Sequence, residues 1–141
     1  AALRYGAYFL MPGGVFLVLF PQASGLAVVQ AFFSGFSRNP QAMQGKECDA
    51  VAEISNMVVN PVVNALGDAC GMLIFLSSPL LMEGGRETLV DLAFEKLVVR
   101  EDRTVLRADI SLDSPESGSR CEIVALFNSA FTGHLLPALK S

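Results

Sequence analysis

Residues 5–37 carry no charged side chain. A stretch of this kind must be hidden from water, either in a lipid bilayer or in the middle of a folded domain. A spanning helix needs about 20 continuous apolar residues. Here "MPGG" at 11–14 and "PQASG" at 21–25 cut the run into shorter pieces. "GVFLVLF" has the length of a strand and is rich in β-branched and aromatic residues. The stretch 3–20 therefore predicts a buried hairpin turning at Pro12-Gly13-Gly14. Residues 21–36 predict a buried helix starting near Pro21, with Leu26, Val29, Phe32 and Phe33 recurring at helical spacing. A lone Arg4 ahead of an interrupted apolar run makes a poor secretory signal. The expectation is a cytoplasmic chain with no membrane span.

The rest of the chain alternates in the same way. Residues 37–48 read as a loop and 49–67 as a helix. Residues 70–79, "CGMLIFLSSP", read as a buried strand running into a turn. Residues 84–99 predict a helix that starts after Gly84-Gly85, with Leu89, Leu92, Ala93 and Leu97 on one face. Residues 104–113 alternate apolar with polar, as a half-exposed strand does. A turn at 114–119 leads to a strand at 120–127 and a closing helix at 128–141, with Asn128 as its N-cap. Residues 15–32 also align with 122–139 without gaps, each running from a strand through Leu-Phe into a turn and a helix. If the two halves are related, the helix at 49–67 belongs to the second, and its counterpart in the first would precede Ala1. A single domain over 1–141, lacking that first-half helix, is the expected organisation.

With 141 residues, 52% hydrophobic and 17% charged, the chain has ample material for one core. The net charge of −4 and the absence of a Lys/Arg cluster argue against nucleic acid and for a basic partner surface. Cys48, Cys70 and Cys121 are widely spaced and lack a CxxC, as idle thiols in a reducing compartment do. The single His134 builds no multi-histidine site, so no metal ligands are expected.

The helix at 49–67 has an unusual polar side. Taking Asp49 as zero and about 100° per residue, Glu53, Asn56, Asn60 and Asn64 all fall within about 60° of it. Ile54, Val58, Val62, Ala65 and Leu66 fall on the other side, toward a sheet. A solvated face usually carries Lys, Arg, Glu and Gln, which are better helix formers than Asn. This helix has no Lys or Arg, and Pro61 falls inside it. A fixed carboxamide both donates and accepts hydrogen bonds, so it can hold a water molecule at a set angle. A carboxylate one turn away can grip a cation.

At these residues the chain resembles the CheC/CheX/FliY chemotaxis phosphatases. "DAVAEISN" fits their [D/S]-x-x-x-E-x-x-N pattern through Asp49, Glu53 and Asn56. The pattern continues with 22 residues, here 57–78, and then a proline, here Pro79. "VNAL", with Asn64, matches the end of the CheC-type helix, and "VFLVLFP" and the final strand–strand–helix resemble the ends of CheC halves. Asn60 departs from the pattern, which usually has a small residue there. Pro61 removes a backbone donor and crowds the carbonyl of Met57, which predicts a local kink just after Asn56.

The resemblance implies an α+β fold of two related halves, with a mostly antiparallel sheet and long helices packed on it. It implies removal of the phosphoryl group from the aspartate of a CheY-type response regulator. Asn56 would orient the attacking water and Glu53 would anchor a lysine of the regulator. Asp49, Asn60, Asn64 and Pro79 are the partner-contact candidates, with Asp49 also suited to start the helix and Pro79 to form a turn. The resemblance implies no cofactor in this chain, with Mg2+ held by the regulator's own acidic residues. The expected partners are a phosphorylated regulator, a CheD-like protein as the alternative, and a second copy of the chain. The competing readings are a non-catalytic CheC-like adaptor and a plain structural domain.

Overall fold

The structure, a computed structural model, describes residues 3–21, 47–97, 105–114 and 119–140. Its strands are β1 (Leu3–Met11), β2 (Gly14–Pro21), β3 (Leu80–Gly85), β4 (Val105–Ser114) and β5 (Ser119–Asn128). The helices among the described residues are α1 (Glu47–Cys70), α2 (Arg86–Lys96) and α3 (Ser129–Lys140). The strands form one antiparallel sheet in the order β3-β1-β2-β5-β4.

The uncharged run explains the centre of this sheet. On β2, Phe16, Val18 and Phe20 face one side and Val15, Leu17 and Leu19 the other, and all six are buried. Strands covered on both faces read as continuous apolar runs rather than alternating ones. The first face meets α1 and α3 through Val51, Val59, Val63 and Phe131. The second meets α2 through Leu89, Val90 and Ala93. The hairpin turns at Pro12-Gly13, with Met11 opposite Gly14. Gly13 has φ +83°, as the third residue of a type II turn requires. At the far edge, β4 keeps its expected alternation. Arg107 and Asp109 point out to water and pair with each other at 2.8 and 3.0 Å.

Several boundaries differ from the sequence expectation. Residues 73–79 form no ladder strand. Ile74 and Leu76 pack against the core, but Leu73 and Phe75 are 83% and 75% exposed. The β1 edge from Leu3 to Tyr8 is taken instead by β3, which the sequence reading missed. The preceding stretch only touches its end: the Ser77 amide donates to the Leu10 carbonyl at 2.8 Å, and Ser77 Oγ accepts from the Leu10 amide at 2.9 Å. Gly84 and Gly85 end β3, and α2 starts after them at Arg86, as expected. Among the described helices only α1 is long, at 24 residues; α2 and α3 have 11 and 12. Asn128 does cap α3, its side-chain oxygen accepting from the Phe131 amide at 3.2 Å. The helix expected at 21–36, most of the loop at 37–48 and most of the turn at 114–119 lie outside the described residues.

The end of α1 is built by two glycines. Gly71, at φ +66°, reverses the chain. The Met72 amide then donates to the Gly67 carbonyl at 2.9 Å and the Gly71 amide to the Asp68 carbonyl at 3.3 Å, the paired bonds of a Schellman motif. A methyl group on Gly67 would lie 2.7 Å from the Met72 carbonyl oxygen. Gly67→Ala is therefore expected to lower stability by about 1–3 kcal/mol, although alanine alone would favour the helix by ~1 kcal/mol. The midpoint of urea unfolding checks this, and an increase would contradict the packing.

Tyr8 fixes α2 to the sheet, its hydroxyl donating to the Leu89 carbonyl at 2.6 Å. Burial pushes its phenol up to about 12 from an ordinary 10. Above pH 10 the unfolded chain gives up this proton while the folded chain keeps it. Stability is thus intact below pH 10 and falls between pH 10 and 12, by roughly 2–3 kcal/mol. Denaturation curves at pH 9 and pH 11.5 should show a smaller gap for Tyr8→Phe than for wild type. A residual gap is expected from Cys121, whose buried thiol is also pushed up to about 12.

Candidate functional site: the outer face of α1

The buried line of α1 is Val51, Ser55, Val59 and Val63, at steps of four. Each such step advances about 40° around a helix, so the contact line drifts as α1 crosses the sheet. Ile54, Val58, Val62 and Leu66 flank it, half-buried. Ala65, expected on the apolar face, is exposed because the drifting line has moved past it. Ser55 is fully buried, and its hydroxyl has no hydrogen-bond partner among the described residues.

The opposite side carries Glu53, Met57, Asn60, Pro61 and Asn64, all exposed. Glu53 and Asn56 are one turn apart, and Asn56 sits half-buried at the border of the exposed face. Its side-chain nitrogen donates to the Ala52 carbonyl at 3.2 Å. That bond lays the carboxamide along the helix and leaves Oδ1 without another partner among the described residues. Asn56 is thus pinned through its donor end, with its acceptor end available.

The remaining expected site residues are more scattered. α1 begins at Glu47, so Asp49 lies inside the first turn rather than at the cap. Asn60 and Asn64 point to solvent with no hydrogen bond among the described residues. Pro79 is half-buried and immediately precedes β3. α1 runs through Pro61 as one continuous helix. Met57 and Pro61 are both on the solvent side, where water can serve the carbonyl that proline leaves without its helical donor.

Two features escaped the sequence reading. Met57 is 63% exposed at the edge of the polar stripe. The helical wheel places it there, but an apolar residue is not what a polar stripe is searched for. The second is a half-open pocket of about 130 Å³ lined by Tyr5, Val51, Leu81, Met82 and Glu83, beside the start of α1. Neither Glu53 nor Asn56 lines it.

α1 carries one sign of charge: it contains Glu47, Asp49, Glu53 and Asp68 and no Lys, Arg or His. Among the described residues, no group of three His, Cys, Asp or Glu side chains is placed to hold a metal ion. No described helix is long and apolar enough to cross a membrane. What the face offers is a neutral carboxamide beside an exposed carboxylate on a rigid, core-anchored helix. That arrangement can position a small polar molecule and attract a cation.

A mixed fold with a five-stranded antiparallel sheet and this helix on one face defines a class, and solved structures contain it. The chain is similar to the X-ray crystal structure of Thermotoga maritima FliY, with a TM-score of 0.61 and 12% sequence identity. The match covers 99% of this chain and 72% of the FliY chain. FliY belongs to the family whose motif the sequence resembles, and the fold is accordingly CheC-like. No family model matches the chain. No curated protein matches it either.

Proposed function

We propose that this chain is a CheC-like chemotaxis protein that removes the phosphoryl group from the aspartate of a CheY-type response regulator. The observation that carries the reading is the Glu53-x-x-Asn56 motif, with its fixed interval to Pro79, on the 24-residue helix α1 of a FliY-like fold, Glu53 exposed and Asn56 at the border of the exposed face. An acyl phosphate is already reactive, so the catalyst has only to place water in line with the phosphorus and exclude other geometries. The water oxygen bonds to phosphorus and the bond to the aspartyl oxygen breaks. The regulator's carboxylate is restored, and inorganic phosphate carries away the water's proton.

The division of labour follows from charge. Asn56 is neutral and does not repel the phosphoryl oxygens, so its free Oδ1 is suited to accept from the water. Glu53 would be repelled by them and is suited to a lysine of the regulator instead. Asp49, Asn60, Asn64 and Pro79 form the contact rim. The Mg2+ this chemistry uses sits on the regulator.

The two related halves of a CheC-like domain find support in the sheet. The gapless alignment of 15–32 on 122–139 sets Leu17 on Val124, and those residues are also cross-strand partners at the β2–β5 junction. A two-fold axis through that pair would relate the hairpin β1–β2 to β4–β5.

The second reading is an adaptor that binds a regulator or a CheD-like protein without hydrolysis. The Asn56 side chain folded onto Ala52 favours it, because the donor end is already committed. Equilibrium binding of the phosphorylated regulator, run beside a decay assay, separates the two. Binding with faster loss of aspartyl phosphate supports the phosphatase, and binding without acceleration selects the adaptor. No binding to any regulator removes both.

A further inference from the structure

Pro61 has no place in the motif, and an interior proline costs a helix about 3 kcal/mol relative to alanine. Its surroundings suggest what it is for. Met57 and Pro61 are four residues apart on α1 and both exposed, so they lie one above the other on the solvent face. Glu53 is one turn before Met57, Asn56 and Asn60 are within a turn of it, and Asn64 follows Pro61. The apolar pair is therefore bordered on one side by a carboxylate and carboxamides. Because proline has no N–H, the Met57 carbonyl loses its regular helical donor at the same place. The face thus presents an apolar knob and a backbone acceptor side by side.

We infer that Met57 and Pro61 form the apolar anchor of the regulator-docking face, and that the freed Met57 carbonyl accepts a hydrogen bond from the partner. This rests on the reading of α1 as the docking helix and names its contact chemistry. The occupant is a regulator surface with an apolar patch beside a cationic donor. Charge complementarity argues for that partner, since Glu53 is exposed on this face and α1 contains four acidic residues and no basic one. A second copy docked two-fold on the same face would set Glu53 and its acidic neighbours against themselves.

Pro61→Ala separates this role from a merely structural one, because the two effects run in opposite directions. Restoring the N–H repairs the helix and should raise the melting temperature by roughly 5–10 °C. It also withdraws the free acceptor and half the anchor, so the Kd for a purified phosphorylated CheY-type regulator should rise about tenfold. Met57→Ala should weaken binding to a similar degree. The full chain is titrated into the regulator, and each variant is melted alone. A Pro61→Ala chain that melts higher and binds as wild type overturns the inference. So does unchanged binding by Met57→Ala, which decides the matter if Pro61→Ala does not fold. A wild type that binds no regulator overturns the docking reading itself, and the inference with it.

Discussion

Asn56→Ala is expected to slow regulator dephosphorylation about 100-fold while the regulator still binds. The size follows from what the side chain is asked to do. A positioning group that holds one reactant in line supplies rate through geometry, and misplacing it by an ångström costs about that factor. Asn56 is half-buried and its nitrogen bonds only the Ala52 carbonyl, so the truncation leaves no buried group stranded. The fold should be untouched, and circular dichroism melts of the variant should match wild type. Glu53→Ala should behave differently. Glu53 is exposed and assigned to a lysine of the partner, so its loss should raise the protein concentration needed for half-maximal acceleration. Equal losses of affinity from both variants would contradict the split of roles.

Phe127→Ala is expected to have the largest effect on stability. Phe127 is 3% exposed at the end of β5 and joins the sheet to α3. Its ring meets Phe16 edge-on, with centroids 5.7 Å apart, and stacks on Phe131 at 4.9 Å. Phe→Ala in a core costs about 3–5 kcal/mol. A domain of this size has roughly 5–15 kcal/mol in all, so the variant should be close to unfolded at 37 °C. Phe75→Ala is the control. Its ring is 75% exposed, and a change within about 0.5 kcal/mol is expected. Guanidinium unfolding of the three chains measures both. A similar loss at the two positions would mean that the exposed stretch 73–79 is covered in solution.

Phe127 also shows why much of the fold was legible. It belongs to the Leu-Phe pair that recurs at Leu19-Phe20 and Leu126-Phe127, and both pairs end central strands of the same sheet. A strand buried on both faces leaves a plain apolar run, and β2 and β5 did so. The stretch 70–79 misled for the same reason. "MLIFL" has a strand's composition, but only Ile74 and Leu76 are used inward, and the β1 edge from Leu3 to Tyr8 is taken by β3. β3 was missed because "LLMEGG" is short and ends in glycines that suggest a helix start. Its strand character comes from β1 beside it, which no local pattern records.

The site was legible where helix geometry alone sets it. Spacings of three and four placed Glu53, Asn60 and Asn64 on one side, and they are exposed there. Asn56 was at the edge of the same strip on the wheel, and it is the half-buried one. Ala65 was misplaced because the wheel assumes a straight line of contact, whereas Val51, Ser55, Val59 and Val63 drift around α1. Met57 was passed over because its role depends on which face the tertiary fold leaves uncovered.

The most direct test is the decay of aspartyl phosphate on a purified CheY-type regulator, followed alone, with this chain, and with Asn56→Ala. The account predicts that wild type speeds the decay well beyond the regulator's own rate and that Asn56→Ala returns it close to that rate while remaining bound. A wild-type chain that binds the phosphorylated regulator and leaves its decay unchanged would contradict it.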